Sequence, residues 1–137
     1  MSDATRRPRG EFAPAVLAVV AVGGGLGALA RYGVGLLMPT EPGGFPWSTF
    51  VINVSGSLLI GVLMAAVTAG RTGPLVRPFL GVGVLGGYTT FSGHALNLTH
   101  LLRDGAAFTA AGYLAATVVG ALGATAVGLA ATRAVLR

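Results

Sequence analysis

Gly81-Val82-Gly83-Val84-Leu85-Gly86-Gly87-Tyr88-Thr89-Thr90-Phe91-Ser92-Gly93-His94 is the stretch on which the fold turns. It sits inside a run free of formal charge from Pro78 to Leu102, longer than the roughly 20 residues a helix needs to cross a bilayer core. Yet its five glycines and three Ser or Thr hydroxyls make a poor continuous helix. An interior glycine costs about 1 kcal/mol relative to alanine, and β-branched Thr89 and Thr90 add strain. A helix broken at Gly86 to Thr90 is therefore expected. Such a break is tolerated at membrane depth only where the freed N–H and C=O groups are buried in protein or face a cavity, and transporters and channels use them as ion ligands. The other reading is a glycine-lined crossing of two helices without any ion.

Outward from this stretch, three more runs carry no formal charge: Phe12 to Ala30, Pro42 to Gly70 and Gly105 to Thr132. The alternating pattern of barrel strands is absent, so the runs imply helices packed together in lipid. Composition agrees. Only 9% of the 137 residues are charged, against about 25% in soluble proteins, and mean hydropathy is +0.78. The expected fold is an all-α membrane protein with helices at about 14–38, 47–70, 75–101 and 106–133, the third broken. Residues 1–11 form a basic tail, and 12–137 form a single membrane domain. Arg6, Arg7 and Arg9 before an apolar stretch also suit a secretory signal, but Phe12 to Ala30 exceeds the usual apolar core of about 7–15 residues. The chain has no cysteine, which excludes disulfides and thiolate metal sites.

The nine basic residues are all arginine and flank the apolar runs, so they read as topology signals and headgroup contacts rather than a nucleic-acid face. Arg6, Arg7, Arg9, Arg71, Arg77, Arg133 and Arg137 fall on one side of the membrane. The other side has Arg103 beside Asp104, and Arg31 if it is assigned there. Positive residues stay inside, so both termini are expected in the cytoplasm of a prokaryotic plasma membrane.

Gly112, Ala116, Gly120, Ala124 and Gly128 recur every four residues, as do Gly23 with Gly27 and Ser57 with Gly61. Small-residue stripes of this kind are packing faces in lipid. One residue along runs Tyr113, Thr117, Ala121, Thr125, and a matching row Thr49, Asn53, Ser57, Gly61 lies in the second helix. Two polar rows could line one water-accessible path. Alternatively the hydroxyls bond their own i−4 carbonyls and Asn53 bonds a neighbouring helix.

Asp3, Glu11, Glu41 and Asp104 all lie at ends or loops, so no carboxylate is embedded. What remains inside is the Asn53 amide, hydroxyls, backbone N–H at the break, Arg31, and Phe91 with its weakly positive ring edge. That inventory suits a small anion. A dimeric drug exporter of similar size would need an embedded carboxylate for proton coupling, and a non-conducting assembly subunit would give no reason for Asn53 beside hydroxyl rows.

Three segments now resemble, in order, the signatures of the CrcB/Fluc fluoride channels: Gly23-Gly24-Gly25-Leu26-Gly27-Ala28 through Arg31-Tyr32, Ser48-Thr49-Phe50-Val51-Ile52-Asn53-Val54-Ser55-Gly56-Ser57, and Gly86-Gly87-Tyr88-Thr89-Thr90-Phe91-Ser92. The resemblance implies a channel rather than an enzyme. It implies an antiparallel dimer of four-helix subunits with narrow fluoride pores and a structural Na⁺ held by backbone carbonyls. Carried over by motif position, Gly86 and Thr89 would supply those carbonyls. Asn53 would be the pore amide, Phe91 an anion-contacting ring, Tyr113 and Thr117 part of a hydroxyl track beside Thr49 and Ser92, and Arg31 a vestibule residue. The family usually continues its third motif as Thr-Thr-Phe-Ser-Thr-Phe with a Glu three residues later, where this chain has Gly93, His94 and Asn97. His94 thus replaces a second pore phenylalanine. The family implies a homodimer. The arginine bias, His94 and Asn97 point instead to one member of a heterodimer whose partner is inserted the other way.

Overall fold

The computed structural model describes residues 14–137, so the Arg6, Arg7 and Arg9 tail, with Asp3 and Glu11, lies outside the described residues. The described residues hold helices and no strand. Helix α1 is Pro14–Leu37, α2 is Trp47–Thr68, α4 is Phe91–Arg103 and α5 is Ala107–Leu136. Between α2 and α4, α3 begins as a π-helical segment over Arg77–Leu85 and finishes as an ordinary α turn over Gly86–Tyr88. The wider winding is visible in the Gly86 N–H, which reaches back to the Gly81 carbonyl.

Helices α1, α2 and α5 contain 24, 22 and 30 residues. At 1.5 Å per residue each exceeds the hydrocarbon thickness of about 30 Å, and each is apolar enough to cross a membrane. Leu29, Val119 and Leu122 are 68%, 70% and 69% exposed. Outward-facing leucine and valine on a bundle with so few charges is what lipid, not water, stabilises.

The helices alternate in direction. Gly43, Glu41, Arg103 and Asp104 share a cavity at one end, which brings the α1–α2 loop beside the α4–α5 turn. At the other end Ala65 and Ala69, at the close of α2, share a cavity with Arg133 and Arg137, at the close of α5. Two helix ends use the same device to turn. In α2, Gly70 N–H bonds the Val67 carbonyl and Arg71 N–H the Ala66 carbonyl; in α4, Gly105 and Ala106 repeat this on Leu102 and Leu101. Each is a Schellman end, which needs a left-handed residue. Gly70 and Gly105 supply it at φ 68° and 74°.

Packing concentrates in two seams, α1 against α3 and α2 against α5. A Cβ on Gly27 would strike the Val84 carbonyl, and one on Gly87 the Gly24 carbonyl. Across the second seam Gly61 lies on the Thr125 carbonyl and Gly128 on the Leu58 carbonyl. Backbones therefore meet directly, the close approach that small residues permit in membranes. The α5 stripe serves this purpose only in part: Gly120 meets Phe50 and Val54, whereas Gly112 faces open space. Beyond the seams, Tyr113 is fully buried and anchors an aromatic group with Phe45, its ring 5.4 Å away edge-on.

A helix break braced by neighbouring side chains

The interruption falls at Thr89 and Thr90, one turn later than the first glycines suggest, because Gly86–Tyr88 stays helical. Thr89 has φ −73°, ψ 158° and Thr90 φ −148°, ψ 120°, both extended. Thr89 N–H still bonds the Leu85 carbonyl, but Thr90 N–H leaves the helical ladder, so the groups freed from there on need other partners.

Asn53 of α2 supplies two at once. Its Oδ1 accepts from Thr90 N–H at 2.9 Å, and its Nδ2 donates to the Thr90 carbonyl at 3.0 Å. The amide thus replaces the backbone partner that a helix would have given Thr90. Arg31 of α1 donates from Nη1 to the Thr89 carbonyl at 3.1 Å. Thr90 then starts α4 as its N-cap, its hydroxyl accepting from Gly93 N–H at 3.0 Å, which satisfies one orphan donor of the new helix. The Thr89 hydroxyl bonds the Leu85 carbonyl, and Tyr88 OH lies 3.0 Å from Ser55 Oγ.

Against the break lies an open cavity of about 400 Å³, lined among others by Asn53, Ser57, Thr90, Phe91, His94 and Thr117. Among the described residues no acidic side chain lines it. Phe91 is 85% exposed at its rim. His94 is buried, with its ring 4.5 Å from Tyr113 and 6.5 Å from Phe91. One turn on, Asn97 Nδ2 donates to Thr49 Oγ1 at 2.8 Å and to Tyr113 OH at 3.5 Å, joining α2, α4 and α5. Asn97 also lines the second cavity, about 440 Å³, with His100 and Arg103. A chain of polar side chains therefore leads from the break to the end of the bundle bearing the α4–α5 turn.

The structure brings Asn53, Phe91, His94, Thr117 and Thr89 onto one cavity. It places Thr49 and Tyr113 on the neighbouring Asn97 cluster. Arg31 sits behind the break on the Thr89 carbonyl, and Ser92 is exposed, 3.4 Å from the Thr90 hydroxyl. Thr125, in the polar row of α5, is used for packing: its hydroxyl bonds the Ser57 and Ala121 carbonyls. The sequence marks Thr90 only as part of the expected break and gives it no site role, although Thr before Phe-Ser-Gly has the form of an N-cap. Asn97 stood out only as a departure from a motif, and its bonds to Thr49 and Tyr113 carried no local signal.

Lipid-facing helices, a broken third segment and a polar-lined cavity beside the break define a small multi-pass membrane protein of the channel and transporter class. The particular family comes from comparison. A family model described as CrcB-like protein, Camphor Resistance (CrcB), matches residues 18–129, and the chain belongs to that family. It is 55% identical over 107 residues to a fluoride-specific ion channel FluC 2 of Nocardia farcinica, covering 77% of this chain and 76% of the relative. It is 50% identical over 118 residues to a FluC 2 of Streptomyces avermitilis, covering 85% and 75%. A FluC 1 of Streptomyces coelicolor is 54% identical over 103 residues, covering 74% and 67%.

Proposed function

We propose that the chain is one subunit of a fluoride-selective channel that lets cytoplasmic fluoride leave a prokaryotic cell passively through the plasma membrane. The observation that carries this is the cavity at the helix break, where Asn53, several hydroxyl side chains and Phe91 share one lining that, among the described residues, no carboxylate joins. Fluoride gives up its water only where converging donors replace it, and such a lining offers them without a competing anion. The names of the relatives supply the identity of the ion. Proteoliposomes loaded with fluoride should release it faster than empty vesicles once charge is balanced by an ionophore, and chloride-loaded vesicles should not. Equal rates with and without protein would end the reading.

The cavity opens onto the surface of the single chain, with Phe91 exposed at its rim, which supports closure of the pore by a second, antiparallel subunit. Among the described residues Arg71, Arg77, Arg133 and Arg137 belong to one end of the bundle and Arg103 to the other. That bias supports cytoplasmic termini and a differently oriented partner in place of a homodimer. The chain has no native cysteine, so a single cysteine placed at Gly73 reports orientation directly. Labelling from one side only is expected; equal labelling from both sides would restore the homodimer.

A structural Na⁺ fits the break in one respect and meets resistance in another. Thr90 N–H bonds Asn53 and so leaves the Gly86 carbonyl free of its helical donor. The Thr89 carbonyl accepts from Arg31, but a carbonyl oxygen has a second lone pair. Gly86 and Thr89 of two subunits would hold the ion, and its charge would fasten the breaks together at the dimer centre.

A further inference from the structure

One turn of α2 meets the break residue by residue. Asn53 bonds the N–H and the carbonyl of Thr90, Ser55 Oγ lies 3.0 Å from Tyr88 OH, and a Cβ on Gly56 would strike the Thr89 methyl. The same Cβ would lie 3.3 Å from Cδ1 of the Tyr88 ring. Gly56 is buried and follows Asn53 by three positions, so the two stand on one face of the helix. The break therefore rests on α2 at the one point of that turn where α2 has no side chain.

A methyl group free to rotate would step aside from an added atom, but this one is held. Thr89 Oγ1 donates to the Leu85 carbonyl at 2.9 Å, and a β-branched side chain has few alternatives at χ1. Turning the methyl away would break that bond. The Tyr88 ring is tied through its hydroxyl to Ser55, and the Thr89 carbonyl accepts from Arg31 at 3.1 Å. An atom added at Gly56 is therefore accommodated by moving the break and α2 apart. The bonds that stretch are those of Asn53 to Thr90, at 2.9 and 3.0 Å, and about half an ångström takes both beyond the usual N–H···O range.

We infer that Gly56 is a positioning residue for the ion path. Its bare Cα seats the Thr89 methyl, draws the break onto α2, and so lets one Asn53 amide close both bonds to Thr90. Asn53, Thr89 and Thr90 line the cavity beside the break, whereas Gly56 is not part of that lining. The missing side chain thus fixes the walls of the cavity from behind. In its consequence for ion passage the inference rests on the fluoride-channel reading.

The chain has two asparagines, Asn53 and Asn97, so ¹⁵N-asparagine labelling of the full-length protein in detergent gives two side-chain amide pairs. The Asn53 pair is the one lost in Asn53→Ala. Gly56→Ala should shift that pair, and should slow fluoride release per assembled protein by about tenfold, the loss of a hydrogen bond or two. Helix α2 itself is not weakened, because alanine favours helix over glycine. Thr89→Ser keeps the hydroxyl and removes the methyl, so adding it to Gly56→Ala should return the Asn53 pair and raise the rate about fivefold. A glycine that serves packing alone behaves differently. Gly61→Ala, whose Cβ strikes the Thr125 carbonyl at the α2–α5 seam, should lower the assembled yield, leave the Asn53 pair fixed and gain nothing from Thr89→Ser. If Gly56→Ala does not assemble, the double variant must do so with the parent's Asn53 pair, and its failure overturns the inference. An Asn53 pair unmoved by Gly56→Ala, in a parent that carries fluoride, also overturns it and leaves the channel reading standing. A parent that carries no fluoride overturns the channel reading and the part of Gly56 in ion passage, while the amide pair still decides whether Gly56 seats the break.

Discussion

Two regions of the molecule, the seams and the break, solve the same problem differently. Along the α1–α3 and α2–α5 seams, glycine lets backbone lie on backbone. At the break between α3 and α4, backbone bonding is surrendered and side chains from other helices, Arg31 and Asn53, take it over. The seams therefore depend on absence of bulk and tolerate no added atom. The break depends on specific polar partners and leaves space beside them. A membrane bundle lacks a hydrophobic force between helices, so stability must come from such close seams if a polar, half-open site is to persist next to them.

The largest effect should come from adding bulk to a seam. Gly27→Val drives side-chain carbon into the Val84 carbonyl and the Tyr88 N–H, both rigid backbone. Overpacking against backbone costs about 3 kcal/mol or more, so the folded fraction in a detergent-denaturation series should collapse. Gly25→Ala on the same helix, where a Cβ meets nothing within 4 Å, should be neutral or slightly stabilising, since alanine favours helix by about 1 kcal/mol. Equal losses for both would show that the seam is not the source of stability.

Next is Asn53→Ala, which removes no bulk from a seam but strands the Thr90 N–H and carbonyl together. Each unsatisfied backbone group costs about 1–3 kcal/mol. Because the break is local, the expected loss is chiefly functional: at least about tenfold slower fluoride release, with the assembled protein still recoverable. If Asn53→Ala unfolds the chain as completely as Gly27→Val, the contrast between seam and break is lost.

The difference also explains what the sequence made legible. Charge-free runs and glycine spacing are local or periodic signals, and they located the apolar helices, small-residue faces on α1, α2 and α5, and the neighbourhood of the break. Which residues close the break is non-local: Asn53 reaches Thr90 across 37 positions and Arg31 reaches Thr89 across 58. The π-helical winding of Arg77–Leu85 is likewise invisible locally, because it accompanies the fit of Gly83 against Val20 and Gly23 of α1. The α5 stripe shows the converse limit, since periodicity gives a face without saying what covers it, and a Cβ on Gly112 would meet nothing within 4 Å among the described residues.

The smallest effect separates two roles of Arg31. Its guanidinium donates to the Thr89 carbonyl, so it braces the break, but its positive charge would also oppose the proposed Na⁺ on that oxygen. Arg31→Gln keeps an N–H donor within reach and removes the charge. At an effective dielectric near 20, relief from a like charge in this half-buried setting is worth about 1 kcal/mol after screening, a fivefold change or so in affinity. The sign is fixed: Na⁺ should support dimer assembly or flux at a lower concentration in Arg31→Gln than in the parent, when Na⁺ is titrated against N-methylglucamine at constant ionic strength. An unchanged Na⁺ requirement would mean that Arg31 braces the backbone without facing the cation. A higher requirement would mean that its hydrogen bond holds the Thr89 carbonyl in the orientation that the ion needs, and that this bond outweighs the repulsion.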